Sequence, residues 1–261
     1  MTRIKLAALA AALLTIASPA AAKSLTVGAN IGNVPWEFQD EKSETVGFEV
    51  ELVKEMAKRM GYDETSFENI PFNGLFSAVQ SGRIDAAISS ITITKKRLES
   101  VSFAQPYYDS DQSLSVLKSS GIEGLKGLNG KVVGVDTGST GDIYATAHEK
   151  ELGLSEIRRF EGLSPAMLDL AAGRIDGYIS DIPAVAYYIK DKPQYAVVER
   201  IPTGEQYSVM FAKDSPLVAE ATKAITAMKT DGFLSGLHEK WFGTKPDAAT
   251  STVKVAEPPK L

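Results

Sequence analysis

The 261-residue chain has no cysteine, so no disulfide can staple it and no thiolate can act as nucleophile or metal ligand. Histidine is nearly as scarce. His148 and His238 fall in separate helical patterns far apart in sequence, which gives metal or acid–base chemistry little to build on. After residue 22 no apolar run approaches the ~20 residues that span a bilayer. Basic residues are unclustered and outnumbered, 28 Lys and Arg against 33 Asp and Glu, which argues against nucleic acid and anionic membranes as partners. The Gly-rich turn DTGSTGD (136–142) lacks both the Gly-Lys-Ser/Thr ending and the G-x-G-x-x-G spacing of nucleotide-binding loops.

The ends of the chain differ from its middle. Arg3 and Lys5 precede an apolar run from Leu6 to Ala17 and the small residues Ala20–Ala22, the pattern of a secretory signal peptide over 1–22. Its removal would carry the formal charge from −5 to −7, and the lack of cysteine predicts no lipid anchor. Residues 244–261 are Thr/Ala/Pro/Lys-rich with no apolar period and read as a disordered tail.

One segment is written twice. SGRIDAAISS (81–90) and AGRIDGYISD (172–181) match at six of ten positions, and VGAN (27–30) is echoed by VGVD (133–136). Such long-range self-similarity predicts two copies of one supersecondary unit. Each copy reads βαβαβ: strand 25–29, helix 48–60 ended by Gly61, strand 66–71, helix 74–81 ended by Gly82, strand 84–89; then strand 131–136, helix 141–152, strand 157–161, helix 164–172, strand 175–180. Runs at 113–118 and 206–213 read as the connections, and a helix from Pro216 to Thr230 has Ser215 as N-cap. The expected architecture is α/β, with lobe one at 25–110 plus 206–243 and lobe two at 111–205. Each lobe is a mostly parallel sheet flanked by helices, and a two-strand hinge joins them.

Ligands of open parallel sheets sit beyond the carboxyl ends of the strands. The repeat pairs those ends as Asn30 with Asp136 and Ser90 with Asp181, and all four should face one crevice. Asp181 reads either as an N-cap for the segment from Pro183 or as a cation partner. In ITITKKR (91–97), Thr94 can cap a short helix that carries Arg97, whose planar fork suits a carboxylate. The N–H groups of Ser139, Thr140 and Gly141 would open at a helix N-terminus. Arg97 with those amides suits a carboxylate, and Asp181 with Ser90 and Thr92 suits an ammonium. A free α-amino acid carries both groups on one carbon.

PWEF (35–38), VGFEVEL (46–52), PFNGLFSAVQSGRID (71–85), SSITITKKR (89–97), FAQPYYDS (103–110), LNGKVVGVDTGSTGD (128–142), AAGRIDGYISD (171–181) and EKWFG (239–243) resemble the polar-amino-acid solute-binding proteins of bacterial ABC importers. The resemblance implies a two-lobed periplasmic-binding-protein fold and a periplasmic receptor that hands its ligand to a membrane permease; monomer is the default expectation for a two-lobed receptor, and no cofactor or metal is expected. It puts the family's carboxylate-binding arginine on Arg97, its ammonium-binding aspartate on Asp181, its hydroxyl contacts on Ser90, Thr92 and Thr140, and its pocket wall on Phe72. Asn30 and Asn33 depart from the aspartate and aromatic common in the family, and Trp36 either replaces the lost aromatic or packs below the pocket. Asn30, Asn33 and Asp136 make a polar, somewhat acidic pocket that suits an amide or cationic side chain better than an acidic one. The rival expectation is a periplasmic lyase on the same fold, with Asp136, Glu37 or a histidine as its acid–base group.

Overall fold

The computed structural model describes residues 22–261, so nearly all of the expected signal peptide lies outside the described residues. In chain order the elements are β1 (Ser24–Ala29), a hairpin of β2 (Phe38–Gln39) and β3 (Thr45–Val46), α1 (Phe48–Arg59), β4 (Glu64–Asn69), α2 (Phe72–Gln80), β5 (Ala86–Ala87), α3 (Lys95–Leu98), β6 (Val101–Phe103), β7 (Tyr108–Leu117), β8 (Val132–Asp136), α4 (Thr140–Leu152), β9 (Glu156–Phe160), α5 (Leu163–Ala171), β10 (Gly177–Asp181), α6 (Ile182–Ile189), β11 (Tyr195–Tyr207), β12 (Met210–Ala212), α7 (Leu217–Thr230) and α8 (Phe233–Phe242).

Two five-stranded sheets result, ordered β4-β1-β5-β12-β6 and β11-β7-β10-β8-β9. The repeated units β4-β1-β5 and β9-β8-β10 are parallel, whereas β12, β7 and β11 join antiparallel. The sheets are therefore more mixed than the βαβ pattern alone suggests, because the connecting strands pair too. Alternation along each strand serves two apolar layers. Val27 and Ala86 face α1, while Ala87 joins Leu75 and Val79 of α2; in the second sheet Val133 and Val135 pack with Ala145 of α4, and Tyr178 with Met167 of α5. Fully burying a side chain such as Leu52 or Leu75 contributes about 1.5–3 kcal/mol.

The repeated residues explain the repeat. A Cβ on Gly28 would stand 2.5 Å from Ile84, and one on Gly134 would stand 2.5 Å from Ile175, so the same Gly–Ile contact closes both lobes. The repeated aspartate acts alike in each copy: Asp85 accepts from the Thr26 N–H (2.8 Å) and Asp176 from the Val132 N–H (2.9 Å), tying the start of the first strand to the last.

Several expectations change. The strand expected over 84–89 shortens to β5, and beyond it Ser90 adopts φ 42° and its N–H donates to Glu49. The run 206–213 splits at Ser208, where the chain passes from the second sheet to the first and the Ser208 hydroxyl donates to Ala104 O (2.7 Å). The α7 N-cap position falls on Pro216, one residue later than expected, and the Ser215 hydroxyl accepts from the Leu217 N–H (3.3 Å). β7 and β11 pair from Leu117/Tyr195 down to Tyr108/Tyr207 with register breaks, one of them between Ile201 and Glu205, and so bridge the two lobes.

The tail is not disordered. Residues 244–261 dock along the base of β7 and β11: Ser251 N–H donates to Asp109 Oδ2 (2.8 Å), Gln206 Nε2 to Ser251 Oγ (2.7 Å), Thr252 Oγ1 to Tyr107 O (3.0 Å) and Ala256 N–H to Gln105 Oε1 (3.1 Å). Lys254 O accepts from the buried Lys229 Nζ (2.9 Å), whose pKa burial lowers to about 8. Apolar periodicity could not reveal this attachment because it is built from polar bonds. Truncation after Thr244 removes these five bonds, at about 1 kcal/mol each, and should lower the melting temperature by roughly 10–20 °C. A scan that overlays the full-length trace would show that the tail contributes no stability.

Candidate functional site

Between the sheets lies a crevice of about 730 Å³, the open solvent at its mouth included. Asn30, Asn33, Phe72, Ser90, Thr92, Arg97, Asp136, Thr140 and Asp181 all line it. Strand ends of both sheets and the N-termini of α2 and α4 converge here, as the repeat requires.

Arg97 is the one cation among the described residues that line the crevice. Thr94 caps α3 by accepting from the Arg97 N–H (3.1 Å), which holds this four-residue helix at the crevice wall. The guanidinium lies 5.3 and 5.2 Å from the rings of Phe72 and Phe76 and donates to Thr92 O (2.7 Å) and, across the crevice, to Gly138 O (3.2 Å). Two of its five N–H donors are thus engaged, and the others remain for a ligand. Burial lowers its pKa to about 10 against the opposing pull of Glu205 and Asp181, so it stays cationic at neutral pH.

Asp181 occupies the N-cap position of α6 yet makes no cap bond. Its carboxylate instead accepts from Gln112 Nε2, an arrangement that leaves it free to meet a cation. From Asp181 a hydrogen-bonded belt runs beneath the crevice. Gln112 Nε2 also lies 3.1 Å from Thr140 Oγ1 and 3.0 Å from Glu205 Oε1; Thr140 and Thr92 donate to Glu205 Oε2 at 2.9 and 2.6 Å; and Thr92 O accepts from Arg97. Arg97 and Asp181 are therefore opposite ends of one network. Desolvation raises the Asp181 pKa well above the carboxylate range, and the nearby Glu205 adds to it.

The first lobe supplies Ser90. Asn33 Nδ2 donates to Ser90 Oγ (3.0 Å), and Glu49 accepts from the Ser90 N–H (2.8 Å) and from the Tyr107 hydroxyl. Behind them the fully buried Glu37 accepts from Ser89 Oγ (2.5 Å). Burial beside Glu49 drives the Glu37 pKa well up, so the pair holds a proton and fixes the turn that presents Ser90.

On the second lobe, Ser139 caps α4 through the Asp142 N–H (3.1 Å), and Gly138 N–H donates to the Asp142 carboxylate (3.0 Å). Of the three amides expected to face a ligand, that of Ser139 already donates to Asp136 O (3.0 Å). Those of Thr140 and Gly141 have no acceptor among the described residues. Gly141 must be glycine, since a Cβ would meet Ile179 O at 2.7 Å.

Trp36 is completely buried, edge-on to Phe48, Tyr108 and Tyr207, so it packs in the core and does not replace an aromatic wall. His148 stacks on Tyr144 and His238 on Tyr108, and neither lines the crevice. Sequence reasoning missed Gln112, Glu205 and Glu161. Gln112 and Glu205 lie on the connecting strands β7 and β11, outside the repeat that flagged the other positions. Glu161 is in the β9–α5 loop.

Among known proteins, residues 25–244 match the bacterial extracellular solute-binding proteins, family 3. The chain is 34% identical to the arginine-binding extracellular protein ArtP of Bacillus subtilis, over 84% of this chain and 86% of that one. It is 30% identical to ABC transporter arginine-binding protein 1 of Escherichia coli, over 93% of this chain and 99% of that one. An ancestral arginine-binding protein solved with arginine superposes with TM-score 0.80 at 35% identity, covering 84% of this chain and 98% of that one. In complex with glutamine the TM-score is 0.79 at 33% identity, covering 85% and 98%. These relatives are binding proteins by name.

Proposed function

The chain belongs to the bacterial extracellular solute-binding proteins of family 3, and on that premise we propose that it captures one free L-α-amino acid with an amide or cationic side chain and delivers it to an ABC permease from the periplasm, as a monomer. Arg97 holds the α-carboxylate, with the Thr140 and Gly141 N–H groups beside it. Asp181 takes the α-ammonium, helped by Ser90 and Thr92, and Phe72 backs the ligand. The observation that supports this most is the belt joining Arg97 on one lobe to Asp181 on the other: a guanidinium and a carboxyl group, each with spare hydrogen-bonding capacity, end on a single crevice.

One ligand touching both walls favours the state in which they meet, so binding closes the lobes about β7 and β11, with 25–110 plus 206–243 moving against 111–205. Three or four charge-assisted bonds of about 1.5–3 kcal/mol each sum to roughly 4.5–12 kcal/mol, whose upper part reaches the roughly 8–12 kcal/mol of micromolar to nanomolar affinity. Solution scattering should show a smaller radius of gyration at saturation; identical curves with and without ligand would count against closure.

A thermal-shift screen of the free amino acids tests the reading. At a ligand concentration about 1,000 times Kd, binding stabilises by about 4 kcal/mol, a rise of roughly 8–16 °C for a chain of this size. Decarboxylated and deaminated analogues of the active compound should give none of it. No shift with any L-α-amino acid would refute the proposal.

A further inference from the structure

We propose that Asp136 selects a cationic side chain, and that a ligand carrying one drives a proton off this carboxyl group as it binds. The inference rests on the receptor reading and adds to it the class of ligand and the residue that discriminates. Asp136 is the last residue of β8 and Asn30 directly follows β1, so the repeat sets them on facing walls of the crevice that Ser90 and Asp181 also line. The two walls are close there: a Cβ on Gly162 of the second lobe would stand 3.6 Å from Asn30 Nδ2.

Charge counting in the crevice favours a third charge on the ligand. Arg97 is the only cation among the described lining residues, whereas Asp136, Glu161 and Asp181 line the same space and Glu205 sits beneath it. A zwitterion with a neutral side chain matches Arg97 and Asp181 and leaves Asp136 without a counter-ion. Its Oδ1 is sealed from solvent with no hydrogen bond of proper geometry, and no Lys, Arg or His among the described residues forms an ion pair with it. The groups that face it are the Tyr178 hydroxyl and Asp181 from β10, and Glu161 with the Gly162 N–H from the β9–α5 loop. None of these is a cation.

The protein therefore keeps a proton where a positive side chain would go. Burial raises the Asp136 pKa to about 7 and Glu161 adds to it, while Tyr178 and the Gly162 N–H act the other way. Below that pH the group is neutral, and a guanidinium or ammonium must displace its proton into solvent. Above it the carboxylate is already formed. Affinity for a permanently cationic ligand should then climb as pH rises to about 7 and level off beyond it. A neutral amide gains nothing from the same ionisation.

Calorimetry of the full chain with L-arginine and L-glutamine at pH 6 and pH 8 tests this, for the wild type and Asp136→Asn. Both ligands present the same α-groups, so the titration of Asp181 cancels in the ratio of their affinities. The wild-type arginine-to-glutamine ratio should be about tenfold higher at pH 8 than at pH 6, as one titrating group at pKa 7 requires. Close to one proton should be released per arginine at pH 6, counted from buffers of different ionisation enthalpy. In Asp136→Asn the ratio should lose its pH dependence and fall at least tenfold at pH 8. A wild-type ratio indifferent to pH, or an arginine preference undiminished in the variant, overturns the assignment. Glutamine binding with a flat ratio sinks only the role of Asp136; failure of arginine to bind at either pH overturns that role too, and the receptor reading falls with it only if no other free L-α-amino acid binds. The proton count is made on the wild type and stands even if the variant folds poorly.

Discussion

Arg97→Ala should bind its amino acid roughly 10²–10⁴ times more weakly than the wild type. The guanidinium has donors left after serving Thr92 O and Gly138 O, enough for a two-pronged grip on a carboxylate. Two such bonds at about 1.5–3 kcal/mol each correspond to that loss, with each 1.4 kcal/mol a factor of ten. Arg97→Lys separates geometry from charge. The ammonium keeps the positive charge between Phe72 and Phe76 but cannot offer parallel donors, so it should recover only part of the affinity. Calorimetry on both variants, with melting scans to show that each is folded, decides the matter. Wild-type affinity in the folded alanine variant would remove Arg97 from the site.

Asp181→Asn should lose at least a hundredfold in affinity while the ligand-free protein melts at the wild-type temperature or slightly above it. Asparagine can still accept from Gln112 through its carbonyl oxygen but cannot match an α-ammonium charge. The stability prediction has a definite sign. Burial near Glu205 raises the folded pKa of Asp181 above its unfolded value, so ionising it costs stability as pH rises past the ordinary carboxylate range. The substitution relieves that cost at neutral pH, and the difference should fade as pH falls toward about 4. A large drop in the melting temperature of the ligand-free variant would instead make Asp181 a structural residue of α6.

The duplication was the most readable part of the chain because it is maintained by packing. Gly28 and Gly134 lie under Ile84 and Ile175, and Asp85 and Asp176 each tie down the first strand of their lobe. The site is written where the copies diverge, at Asn30 against Asp136 and Ser90 against Asp181, and comparing the copies was enough to bring those positions to one crevice. Gln112 and Glu205 escaped notice because β7 and β11 occur once, and a buried carboxylate on a connecting strand has no pattern to betray it. The docked tail escaped for a related reason, since Ser251 and Thr252 are buried by hydrogen bonds and not by apolar spacing.

The crystal structure of the full chain with whichever amino acid stabilises it most would test the account most directly. The α-carboxylate should lie about 3 Å from the Arg97 guanidinium and the α-ammonium about 3 Å from the Asp181 carboxylate, with the lobes closed on a single molecule. A ligand seated against one wall alone, its carboxylate turned from Arg97 or its ammonium from Asp181, would contradict it.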